Sequence, residues 1–109
     1  MKKCNRVKKE YEFNNIIKTG KQIKNKFYIV CYKENKLDIY RFGISVGKKL
    51  GNAVFRNLYK RRIRNIIDKN KKNYQKGLDY IIIMRKGCIN VSFEEMEVQL
   101  LNLLNNINN

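Results

Sequence analysis

The sequence predicts a small α+β fold, a single domain with helices packed on a small mixed sheet in the order α-β-β-β-α-β-α. Three observations carry that prediction. Runs rich in β-branched and aromatic residues stand at 27–33 (FYIVCYK) and 78–85 (LDYIIIMR). Two long stretches, one after Asn52 and one after Ser92, repeat apolar residues at helical spacing. Glycine or polar turns separate these segments, and neither an internal repeat nor a linker interrupts them.

Residues 1–9 form a basic leader, expected to be extended and, over 1–7, mobile. Over 8–18, Tyr11, Phe13, Ile16 and Ile17 make a helical stripe, and Gly20 stands where a left-handed C-cap is expected. The basic, weakly alternating stretch 21–26 has at most the character of an edge strand. In the firm strand 27–33, alternation puts Phe27, Ile29 and Cys31 on one face and Tyr28, Val30 and Tyr32 on the other. A polar turn over 34–38 leads into a further strand over 39–46.

Asn52 is a good N-cap for the next helix. At about 100° per residue, Phe55, Leu58, Tyr59, Ile63 and Ile66 share one arc. Asn57, Lys60, Arg61, Arg64, Asp68 and Lys71 share the opposite arc, with Arg56 on the flank. Arg62 falls on the apolar side, where its stem is expected to pack and its head to reach outward. The helix is expected to fray over 70–76, before a turn at Gly77. The near-continuous apolar run 78–85 suits a central strand buried on both faces. Ser92 and Glu95 form a capping box and Val91 and Met96 a hydrophobic staple for the last helix. Its buried stripe is Met96, Leu100, Leu103, Leu104 and Ile107, and its Asn-rich end, 105–109, is expected to fray.

Charge narrows the function. The 25 Lys and Arg against 9 Asp and Glu give a net charge of +16, which favours a polyanionic partner. Seven residues are arginine, and four of them (Arg56, Arg61, Arg62, Arg64) fall within nine positions of the central helix. A guanidinium grips phosphate oxygens as a planar fork, whereas an ammonium is a hydrated point charge. Charged helix faces are usually only solvated, but here the acid Asp68 is outnumbered and i,i+4 pairing cannot neutralise the face. The loop Gly47-Lys48-Lys49-Leu50-Gly51 brings two ammonium groups to the helix N-terminus, without the pattern of a nucleotide-binding loop.

Other chemistries find no support. Histidine is absent, the acids are scattered, and no Ser/His/Asp or Cys/His set exists. Glu94, Glu95 and Glu97 are explained by the dipole of the last helix. Cys4, Cys31 and Cys88 are widely spaced and read as free thiols of a reducing cytoplasm, neither a disulfide framework nor a zinc site. Neither a membrane-spanning run nor a secretory signal is expected.

The stretch GISVGKKLGNAVFRNLYKRRIR resembles the RNR signature of the protein subunit of bacterial ribonuclease P, through Lys48-Lys49, Gly51-Asn52-Ala53-Val54, Arg56-Asn57, Lys60-Arg61 and Arg64. The flanks resemble that family as well: a basic NRVKK start, Phe13 in the first helix, Gly20, a DYIII strand and a helix opening on SFEE. The resemblance implies a ribosomal-protein-like α+β fold with a left-handed crossover around the basic helix. It implies a cytoplasmic ribonucleoprotein, one protein per RNA, whose RNA subunit cleaves the 5′ leader from precursor tRNA with Mg²⁺ held through the RNA. The protein alone would bind no metal and carry no catalytic residue.

Carried over by position, Lys48, Lys49, Asn52, Arg56, Asn57, Lys60, Arg61 and Arg64 would contact the catalytic RNA. Arg6, Lys9, Phe13, Ile17, Ile29 and Cys31 would line or flank a groove for the leader. The chain departs from the family at Ile17 and Cys31, where aromatic residues are common. Three alternatives are set against this reading. They are a ribosomal-protein-like RNA-binding module without associated catalysis, a freestanding nuclease, and a duplex-DNA binder, which lacks the first helix of a helix-turn-helix.

Overall fold

A computed structural model describes residues 1–108 of the chain. One mixed sheet contains β1 (Lys21–Lys24), β2 (Tyr28–Glu34), β3 (Arg41–Ser45) and β4 (Leu78–Met84) in the order β1-β2-β4-β3. β2 runs antiparallel to both β1 and β4, while β3 is parallel to β4. The β3-to-β4 connection is carried by helix α2 (Ala53–Lys69); α1 (Glu10–Thr19) precedes the sheet and α3 (Phe93–Asn108) follows it. The predicted order of elements is therefore the observed one.

The sheet divides two apolar clusters, as side-chain alternation along its strands requires. On one face Tyr28, Val30, Phe42, Tyr80, Ile82 and Met84 meet Ile63, Ile66 and Ile67 of α2 and Met96, Leu100 and Leu104 of α3. On the other, Ile16 of α1 and Val7 cover Cys31 and Ile81, with Phe13, Ile29 and Ile83 partly buried against them. Central β4 feeds both clusters, which is why its sequence is apolar almost throughout. The phenols in this core are satisfied. Tyr28 Oη donates to the Met96 carbonyl (3.0 Å), Tyr74 Oη to the Ile67 carbonyl (2.8 Å) and Tyr80 Oη to Asn108 Oδ1 (2.7 Å).

Several boundaries differ from the sequence expectation, each for a local reason. Asn25 Oδ1 accepts from the amides of Phe27 and Tyr28 (2.8 and 2.9 Å), so the chain is still turning at Phe27 and β2 starts one residue later. Phe27 consequently packs with the larger cluster and not beside Ile29 and Cys31. The Ile39 carbonyl is taken by Gly77 N (2.9 Å) and Asn35 Nδ2 (3.2 Å), so β3 begins only at Arg41. Residues 70–76 do not fray: a 3₁₀ turn at Lys71–Asn73 delivers Tyr74 into the core, its ring edge-on to Phe42 at 4.9 Å. Only half of the capping box of α3 forms, because Ser92 Oγ accepts from Glu95 N (3.1 Å) while the Glu95 carboxylate takes Gln99 Nε2 (3.1 Å).

The leader is tied to the edge of β3. It turns once at Lys3–Asn5, Asn5 Nδ2 donates to the Tyr40 carbonyl (2.6 Å) and Val7 N to the Phe42 carbonyl (3.0 Å). The amino group of Met1 meets Asp68 Oδ2 of α2 at 2.9 Å. At the other terminus α3 continues to Asn108, and Asn109, part of the end expected to fray, lies outside the described residues.

Gly20 corrects a further expectation. Its φ of −78° and ψ of 173° are extended, not left-handed. Glycine is required there by proximity: a Cβ would lie 2.6 Å from the carbonyl oxygens of both Ile16 and Tyr32. These are backbone atoms of α1 and β2, which cannot give way independently. Gly20→Ala is expected to cost about 2 kcal/mol, read as a lowered urea midpoint with unchanged m-value; an unchanged midpoint would contradict the packing described.

Candidate nucleic-acid interface

The interface begins where β3 ends. Lys48 and Lys49 are exposed on a 3₁₀ turn, Lys48–Leu50, closed by Leu50 N on the Gly47 carbonyl at 3.0 Å. Asn52 caps α2 as predicted, its Oδ1 accepting from Phe55 N at 2.9 Å. The first turn of α2 contains no acid, and Ala53, Val54 and Asn57 around it are exposed. Its unsatisfied amides therefore face solvent beside two ammonium groups, an arrangement that attracts anions.

Along α2 the cations form two stripes instead of the single arc expected. Arg56, Lys60 and Arg64, one turn apart, are half-buried on the flank; Asn57, Arg61 and Asn65 form a parallel exposed stripe. Arg62 lays its guanidinium over the Tyr59 ring at 5.0 Å, the packing its position on the apolar side foretold. Among the described residues, none of Lys48, Lys49, Arg56, Lys60, Arg61 and Arg64 enters an ion pair. Asp68, the acid expected on this face, is drawn away to the Met1 amino group.

A second surface lies on the α1 side of the sheet, where register sorts the residues into rows. Lys33, Asp79 and Arg41 make one row; Gln22, Cys31, Ile81 and Gly43 the next; Lys24, Ile29, Ile83 and Ser45 the third. α1 covers the middle row. The Phe13 ring occupies the space a side chain at Gly43 would need, 2.6 Å from the ideal Cβ position. The third row projects beyond the helix, with Ile29, Ile83 and Ser45 half-buried and Lys24 exposed. It is an apolar trough with Lys24 at its rim, and Ile17, one turn after Phe13 on α1, is 38% exposed.

The two surfaces share a wall. A cavity of about 190 Å³ is lined by Arg6, Phe13, Gly43 and Ile44 on one side and by Lys60 and Arg64 on the other. The structure thus brings Arg6 and Phe13 together with the inner arginine stripe. Lys9 lies 5.7 Å from the Tyr11 ring in a second hollow, which Arg6 also lines together with Lys3, Lys8 and Glu12. Cys31 is 2% exposed beneath α1, so it supports the trough from below and offers it no surface. Gly43, Ile83 and Ser45 belong to the site and were not singled out from the sequence; strand alternation marks their face, but only the pairing register puts them in one row.

Burial raises the thiol of Cys31, and burial pushes that of Cys88 up to about 11, so neither is a thiolate near neutrality. Among the described residues no group of three or more His, Cys, Asp and Glu is placed to hold a metal.

Fold and site together define a small α+β RNA-binding subunit, built to meet polyanions with arginine forks and an apolar trough. A family model described as Ribonuclease P matches residues 1–108. The chain is 45% identical over 104 residues to the ribonuclease P protein component of Streptococcus pneumoniae (strain Hungary19A-6), covering 95% of this chain and 85% of that one. It superposes on the RNase P protein from Thermotoga maritima with a TM-score of 0.88 at 36% identity, covering 95% of this chain and 98% of the other. For the RNase P protein of Staphylococcus aureus the TM-score is 0.86 at 36% identity, with 94% of each chain covered. The chain belongs to the family of ribonuclease P protein components, the protein partners of an RNA-containing holoenzyme.

Asn52 serves α2 itself before it serves any ligand. Asn52→Ala is expected to lower stability by about 1 kcal/mol, and Asn52→Asp to retain most of it, as followed by thermal denaturation. Equal loss in both variants would show that the cap is not what Asn52 supplies.

Proposed function

We propose that α2 and its preceding loop bind ribonuclease P RNA, while the trough beside α1 receives the 5′ leader of precursor tRNA. The observation that carries this reading is the set of cations on α2 that enter no ion pair among the described residues, with a cavity of about 190 Å³ joining Lys60 and Arg64 to Phe13 and Arg6. Lys48, Lys49, Arg56, Asn57, Lys60, Arg61 and Arg64 hold RNA phosphates, with Asn52 contributing its free amide donors. Arg6 anchors the leader backbone; Phe13, Ile17 and Ile29 offer apolar surface to its bases, with Cys31 as the underlay. Lys9 acts from the hollow behind α1 by long-range attraction.

Among the described residues the acids do not gather into a ligand set. Mg²⁺ for the reaction is assigned to the RNA, where it would supply Lewis-acid chemistry for the cleavage. The polypeptide contributes charge compensation, allowing two polyanions to approach each other, in the cytoplasm and with one copy per RNA. Among the described residues no helix is long and apolar enough to cross a membrane.

Arg61→Ala and Arg64→Ala are each expected to weaken holoenzyme assembly and reduce the slope of log K against log salt by about 1, measured by filter binding. Unchanged slopes would contradict the assignment. Phe13→Ala is expected to reduce the preference for leader-bearing over mature tRNA by about 1–3 kcal/mol with RNA assembly intact. Equal loss for both tRNAs would remove Phe13 from the leader site.

A further inference from the structure

The row of the sheet farthest from the trough carries a charge network that the reading above does not use. Arg41 grips Asp79 with two parallel bonds, Nε to Oδ1 at 2.8 Å and Nη2 to Oδ2 at 2.6 Å. Asn35 Nδ2 adds a third bond to Asp79 Oδ1 at 2.8 Å, and Asp79 is the one charged residue fully buried among the described residues. A fork held this way cannot swing, because its partner is fixed in the central strand. From the same Nη2 a bond of 3.1 Å reaches Glu12 Oε2 on α1.

Glu12 precedes Phe13 directly, and Arg41 and Gly43 lie on one face of β3 two residues apart. Consecutive residues of α1 thus engage alternate residues of a single strand, Glu12 on Arg41 and Phe13 over Gly43. Neighbouring helix positions diverge by about 100°, so two such contacts fix how far α1 is rolled about its axis. The apolar contacts beneath α1 are non-directional and cannot do this alone. The side-chain hydrogen bond at its far end, Lys33 Nζ to Thr19 Oγ1 (2.7 Å), lies at the surface.

We infer that Arg41, locked by Asp79, is a positioning residue for leader recognition: through Glu12 it sets the roll of α1 and hence the attitude of Phe13 and Ile17 over the trough. This inference rests on the leader reading of the trough. It separates two roles that a purely structural ion pair would merge, since Glu12 is part-exposed and, although it shares a hollow with Arg6 and Lys9, does not line the cavity against α2.

The test is a double-mutant cycle in the assembled holoenzyme, with Glu12→Ala, Phe13→Ala and the double variant, read as the ratio of affinities for leader-bearing and mature tRNA. Glu12→Gln, which keeps the side chain's volume, and a thermal melt of each variant accompany it. Glu12→Ala is expected to lower the ratio by about fivefold, the upper scale of a part-exposed charge pair, with binding to mature tRNA and to the RNA subunit unchanged. In the Phe13→Ala background the same substitution is expected to change nothing further. If Phe13→Ala lowers the ratio while Glu12→Ala does not, or if the two effects simply add, the positioning role is overturned and the leader site stands. If Phe13→Ala itself leaves the ratio unchanged, the leader reading fails and takes the inference with it.

Discussion

Helix α1 has ten residues, about 15 Å of length, laid across a sheet four strands wide. It can bury the middle row, Cys31, Ile81 and Gly43, but not the row that follows. The opposite face has less of a shortage, since α2 and α3 pack on it and place the large aromatic core there. One face of the sheet is therefore closed and structural, and the other is left open over Ile29, Ile83 and Ser45. Binding function follows from that imbalance. An apolar row without cover favours a ligand with flat apolar faces, and Lys24 and Arg6 around it favour one that is also an anion.

Electrostatics is arranged with the same asymmetry. Glu12 and Asp79 are both committed to Arg41, Asp68 to the amino group of Met1, and Glu97 to Lys69. These acids act as internal fasteners and leave the α2 stripes unopposed. Like charges a helical turn apart repel, so the free protein carries a cost that RNA phosphates would relieve. Association driven in this way is steered at long range and responsive to salt. The concentration of arginine on α2 beside the lysines of its loop fits a surface that must grip as well as attract.

Much of this was legible in the sequence. The strands at β2 and β4, the Asn52 cap, the apolar stripe of α3 and the basic face of α2 all follow from short-range rules of spacing and capping. What could not be read depended on contacts between distant segments. The arginine arc divides into two stripes only because the leader, running beside β3, closes off one flank of α2. Gly20 looked like a helix terminator and is instead a point of contact between two backbones. Cys31 occupies the expected face of β2, but strand pairing centres it under α1 and removes it from the surface. The Arg41–Asp79–Glu12 network joins residues far apart in sequence, and no local pattern announces it.

Two surfaces on one small protein, each with its own RNA, is the claim from which the rest follows. It is tested most directly by photo-crosslinking in the holoenzyme bound to precursor tRNA, with the exposed thiol removed by Cys4→Ser. A short crosslinker would be attached through Asn65→Cys on the outer stripe of α2 or through Ile17→Cys above the trough. The account predicts that position 65 labels ribonuclease P RNA and position 17 labels the leader. Labelling of the leader from position 65, or of the RNA subunit alone from position 17, would contradict it.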